Sequence, residues 1–192
     1  MLLPLAVVLW WNRSGAFKRG VSISDFEIHG LHKLDLLRER LSIKSGSLED
    51  GSESIVKALE MLGDSSWDDV LSDLGMPSLR HMTEQIEVCG WIIPESNFLV
   101  IGIRTFEYKW ELSALSVSSS EGSTVSIEKV SPSHMFEKGE VFLDSIEPEA
   151  KKFLRLEIGG SPSLIELEVS GLIAGEPFAA VPREAIVFGK ND

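Results

Sequence analysis

Five side chains of this sequence are the ones best suited to metal binding, proton transfer or nucleophilic attack: His29, His32, His81, His134 and Cys89. His29 and His32 stand three residues apart and could share a helical face, but Gly30 lies between them and no third donor follows at a ligand spacing. A zinc site needs three or four converging donors, so the pair reads as polar residues at a helix start. His81 has Glu84 beside it, and His134 falls in the turn-rich stretch Ser131 to Gly139. Cys89 sits in Ile86-Glu87-Val88-Cys89-Gly90-Trp91, a strand-like run with no histidine or carboxylate arranged as its base. It reads as a small buried hydrophobe. A lone cysteine also excludes an intrachain disulfide and a cysteine zinc cluster, which fits a reducing compartment.

Other chemistries fare no better. No Gly-x-Ser-x-Gly elbow is present to expose a serine nucleophile. Gly159-Gly160-Ser161-Pro162-Ser163 lacks the lysine of a phosphate loop and leads into a strand, so it reads as a tight turn. Glu166 and Glu168 flank Leu167 and point the same way, as a general acid and base do, yet on an antiparallel strand such a pair is usually the solvated face. No catalytic, metal or cofactor-binding residue is assigned, and no cofactor is expected.

Charge narrows the partners. The 192 residues carry 18 Lys plus Arg against 30 Asp plus Glu, a net charge of -12. Residues 1–83 hold 9 basic and 12 acidic side chains, and residues 84–192 hold 9 and 18. An acidic surface repels phosphate backbones, so no nucleic-acid partner is expected. With 43% apolar residues the chain can bury a sizeable core.

Leu2 to Trp11 is an almost unbroken apolar run, followed by Arg13, Lys18 and Arg19. A transmembrane helix needs ~20 apolar residues, so the run is too short to span. It also lacks the flanks of a secretory signal. Two readings stand. In one, Ala6 to Trp11 is a buried strand. In the other, Trp10 and Trp11 contact a membrane at headgroup level with the basic residues on the cytoplasmic side. The expected location is cytoplasmic, with or without that contact.

The elements that position these residues change character along the chain. Leu31, Leu34, Leu37 and Leu41 repeat at helical spacing, after a short extended segment at Val21 to Ile28. A second helix is predicted over about Ser52 to Leu62, striped by Ile55, Ala58, Leu59 and Leu62. A third follows Ser65 or Ser66, with Asp68 and Asp69 in its first turn and Trp67, Val70, Leu71 and Leu74 as its apolar face. Past Pro77 the period becomes two. Ile86 and Val88; Leu99, Ile101 and Ile103; Phe106, Tyr108, Trp110 and Leu112; Val125 and Ile127; Val141 and Leu143; Leu154, Leu156 and Ile158; and Ile165, Leu167 and Val169 form successive alternating rows. Turn formers separate them, the last set running from Gly171 to Pro177. Seven or eight short strands with polar residues opposite predict antiparallel sheets wet on one face.

The run Gly139 to Ile158, a strand, the Ile146-Glu147-Pro148-Glu149 loop and another strand, resembles part of an immunoglobulin-like sandwich. The expected fold is therefore α+β and β-dominated, with an N-terminal apolar and helical part at residues 1–80 and an antiparallel β-sandwich of immunoglobulin-like architecture at residues 81–192. If Leu154, Leu156 and Ile158 face inward, Phe153, Arg155 and Glu157 face outward, and Phe153 needs cover from the helices or from a partner. These three form the expected interaction surface. The expected function is a non-enzymatic protein-interaction or assembly module, binding a protein partner or itself. The alternative is a small hydrolase or ligand-binding enzyme with its site between the helical and β parts, using His29, His32 or His81.

Overall fold

A computed structural model describes residues 36–37, 39–42, 48–93, 96–119, 125–134, 136–137, 139–160 and 162–187. Trp10, Trp11, His29, His32 and the segment Val21 to Ile28 lie outside the described residues. Helix α1 runs Leu48–Asp64 and α2 runs Trp67–Leu74; residues 36–37 and 39–42 are also helical. Ser66 caps α2, its hydroxyl accepting from the Asp69 amide at 3.1 Å, and Asp68 and Asp69 occupy the positive end of the helix. Gly75, at φ 77°, ends it.

Ten strands follow: β1 Leu79–Met82, β2 Ile86–Ile92, β3 Phe98–Thr105, β4 Trp110–Ser118, β5 Ser126–Ser131, β6 Phe136–Glu137, β7 Glu140–Phe142, β8 Lys151–Gly159, β9 Leu164–Ile173 and β10 Glu176–Val187. They form two five-stranded antiparallel sheets, sheet A in the order β1-β2-β3-β8-β5 and sheet B in the order β10-β9-β4-β7-β6. The alternating rows predicted from sequence meet between them: Leu99, Ile101, Ile103, Leu154, Leu156 and Ile158 from sheet A pack against Leu115, Val141, Ile165, Leu167 and Val169 from sheet B. This is the α+β, antiparallel and β-dominated arrangement expected.

Three differences have physical causes. Tyr108, expected in a core row, is 48% exposed, because β3 ends at Thr105 and the chain crosses to the other sheet before β4 begins at Trp110. The turn expected from Gly171 to Pro177 shrinks to Ala174 and Gly175, and Glu176–Val187 forms β10 despite Pro177 and Pro182. Those prolines are tolerated because β10 is an edge strand with a register shift on either side of Val181. Sheet A is not wet on one side: a second core joins Leu37, Leu41, Ile55, Ala58, Leu62, Trp67 and Val70 to Cys89, Trp91, Phe98, Val100 and Phe153 on its outer face. The helices from Leu37 onward belong to the same compact unit as the sheets.

Candidate interaction face

The residues expected to meet a partner lie under the helices instead. Phe153 is 5% exposed and its ring lies 5.7 Å from that of Trp67, centroid to centroid. Gly102, opposite Phe153 across β3 and β8, is what admits the ring: a Cβ there would come within 2.6 Å of Phe153 Cε1. Arg155 is 1% exposed, with its guanidinium carbon 3.5 Å from the centre of the Phe98 ring. Burial pushes its pKa down to about 10, against the opposing pull of Glu157, and it stays charged at neutral pH. Glu157 is partly buried in the same row as Phe98. Alternation correctly sent these side chains to the far face of β8, and the helices occupy that face.

The same buried layer holds Glu87, fully buried between two arginines. Arg80 Nε donates to its Oε1 at 2.8 Å and Arg104 Nε to its Oε2 at 2.7 Å. Burial alone would raise the carboxyl, but the hydrogen bonds from Arg104 and Arg80 outweigh it and hold the group below its ordinary value of 4.5. Arg104 also lies 5.1 Å from the ring centres of both Trp67 and Phe106, a cation between two aromatic faces. The Cys89 thiol points at Glu87 Oε1 from 3.8 Å. Burial, and then the Glu87 charge, push it up to about 12, so it is protonated and inert as a nucleophile. The Trp91 indole donates to the Gly75 carbonyl at 3.0 Å, and Lys151 donates to the Ser65 carbonyl, so both ends of α2 are tied to sheet A. These groups fasten a helical layer to a sheet.

The histidines do not converge. His81 Nδ1 lies 3.0 Å from Glu184 Oε1, where β1 and β10 meet at one edge of the sandwich, and His134 Nδ1 lies 2.7 Å from the Pro132 carbonyl. A hollow of about 350 Å³ between α2 and sheet A is lined by Trp67, Arg104, Phe106, Glu107, Glu149 and Lys151, without a histidine. Among the described residues no group of three or more His, Cys, Asp or Glu is placed to hold a metal ion, and no helix is long and apolar enough to cross a membrane.

Among the described residues, no second core covers the outer face of sheet B. Because Val141, Leu115, Leu167 and Val169 point into the core, their neighbours along each strand point out. Strand register then sorts the outward residues into rows. One row is Phe142, Ala114, Ser170 and Ala179, crossing β7, β4, β9 and β10. Beside it on one side stand Glu111, Leu172 and Pro177, and on the other Glu137, Glu140, Ser116 and Glu168. Phe142 is 40% exposed. Ser170, Leu172, Pro177, Phe178 and Ala179 line an open groove of about 490 Å³. Glu166 and Glu168 do point the same way, and Glu166 accepts from Arg183 Nε at 2.8 Å. Sequence reasoning singled out none of Phe142, Leu172, Pro177 and Ala179, which come together only through strand register.

No family model matches the chain, and no curated protein matches it. Among solved structures it is similar to the GAE domain of GGA2p from Saccharomyces cerevisiae, at 10% identity and a TM-score of 0.31 over 59% of this chain and 98% of that one. It is also similar to the cupredoxin domain of amoB from Nitrosocaldus yellowstonii, at 11% identity and a TM-score of 0.27 over 68% of this chain and 73% of that one. Neither likeness is close enough to speak for function.

Proposed function

We propose that the chain is a non-enzymatic protein-interaction or assembly module built on an immunoglobulin-like sandwich, and that it meets its partner through the outer face of sheet B. One observation carries this reading. Helices bury the outer face of sheet A, whereas on the outer face of sheet B Phe142 is 40% exposed and Leu172, Pro177 and Ala179 line an open groove. Apolar side chains left open on one face of a fold are an ordinary mark of a docking surface. The immunoglobulin-like part of the proposal draws support from strand order. β2-β3-β8-β5 and β10-β9-β4 follow the constant-type arrangement, with β1 added to one sheet and the β6–β7 hairpin to the other. A cytoplasmic setting, with membrane contact through Trp10 and Trp11, belongs to the same proposal and rests on the apolar run and the basic residues after it.

Site-specific photo-crosslinking from Ala179 tests the face. The expected result is a discrete adduct that disappears with Leu172→Asp, while the same photoreactive residue at Lys57, on α1, gives none. Equal labelling from both positions, or an adduct indifferent to Leu172→Asp, would sink the assignment. Fractionation tests the setting: complete release to the soluble fraction without salt or detergent would remove the membrane contact.

A further inference from the structure

We propose that the partner presents an extended basic segment, with an apolar side chain seated in the groove of Leu172, Pro177 and Ala179 and Lys or Arg side chains over Glu140 and Glu168. The proposal rests on the reading of sheet B as the docking face and adds the chemistry of the occupant.

Three observations favour this occupant. The acidic row and the groove lie on one surface, the row running beside Ala114, Ser170 and Ala179, since Ala114 and Ser116 alternate along β4 and Ala179 also lines the groove. An extended chain crossing the strands would therefore present apolar and charged side chains to both lines. Second, the floor between them is low: Ala114, Ser170 and Ala179 form the row that separates Leu172 and Pro177 on one side from Glu140 and Glu168 on the other. Third, the charge is unbalanced. Glu166 has Arg183 at 2.8 Å, but among the described residues neither Glu140 nor Glu168 has an ion-pair partner within 4 Å. A net charge of -12 also disfavours a second copy of this chain as the occupant, since two acidic faces would be brought together. Complementary potential supplies specificity and a fast encounter, and a groove beside it supplies the anchor.

Fluorescence anisotropy with three labelled 12-residue peptides tests the proposal on the full chain: one alternating Lys and Leu, one alternating Glu and Leu, one alternating Lys and Ser. The Lys-Leu peptide is expected to bind, to weaken as salt rises, and to lose about tenfold in affinity with Glu140→Gln plus Glu168→Gln and again with Leu172→Ser. The charge-matched control Glu60→Gln plus Asp68→Asn, on the helices, is expected to change it by less than about twofold. Equal losses from the control pair would show diffuse attraction to an acidic protein and overturn the proposal. Binding of the Glu-Leu peptide with Leu172 dependence would overturn the basic partner while leaving the docking face standing. Tight binding of the Lys-Ser peptide would remove the apolar anchor, and failure of all three would remove the basic segment, with the crosslink from Ala179 still deciding the face. Concentration-dependent sedimentation abolished by Leu172→Asp would transfer the face to a second copy and overturn the proposal.

Discussion

Sheet A and sheet B share one core, yet their outer faces have opposite fates. On sheet A, β2 is buried from Ile86 to Trp91 and β3 from Phe98 to Ile103, with helices above and the shared core below. On sheet B, β9 alternates between buried Ile165, Leu167 and Val169 and the more open Glu166, Glu168 and Ser170. The contrast teaches that charge in a strand does not by itself mark a wet face. Glu87 and Arg155 are as buried as their aliphatic neighbours, and each has local compensation: two arginines for the first, an aromatic ring and Glu157 for the second. Where sequence placed an interaction surface, tertiary structure put a second core.

Breaking sheet A's covered face should have the largest effect. Phe153→Ala removes a buried ring between Trp67 and Gly102 and is expected to cost about 3–5 kcal/mol in urea unfolding. A loss below about 1 kcal/mol would mean the helices do not seal the sheet.

Glu87→Gln should come next, at about 3 kcal/mol, the lower end for breaking a buried pair because Arg80 and Arg104 keep access to water. The pH dependence sharpens it. Since the folded carboxyl titrates below 4.5, its contribution is complete above that pH and is lost as pH falls through the folded value. Acid titration of wild type and Glu87→Gln should therefore show stability curves that converge below pH 4.5; curves that stay parallel to the acid-unfolded state would contradict the arrangement.

Ser66→Ala, which removes the α2 cap, should cost about 1 kcal/mol by thermal or denaturant unfolding. An unchanged midpoint would show that the ties from Trp91 to Gly75 and from Lys151 to Ser65 hold α2 without its cap.

Phe142→Ala on the open face should change stability least, within about 0.5 kcal/mol, because that ring is 40% exposed. A cost comparable to that of Phe153→Ala would erase the distinction between the two faces.

Much of this was legible in the chain order of residues. The change of hydrophobic period after Pro77, the Ser66 cap with its two aspartates, and the inward rows of β8 and β9 all follow from local rules, because side-chain direction is set by backbone geometry within a few residues. A further signal was present at β3: Phe98-Leu99-Val100-Ile101-Gly102-Ile103 is continuously apolar, the pattern of a strand buried on both sides. It pointed to cover over sheet A, and the alternation of β8 alone could not.

Local periodicity thus specified which side chains share a face, for helices and strands alike, since that depends only on the repeat of the backbone. What lies against each face was decided by the tertiary fold. The helical stripe, Glu87 with Arg80 and Arg104, and the groove of Leu172, Pro177 and Ala179 each assemble from segments distant in sequence or from strand register, and no local repeat encodes either.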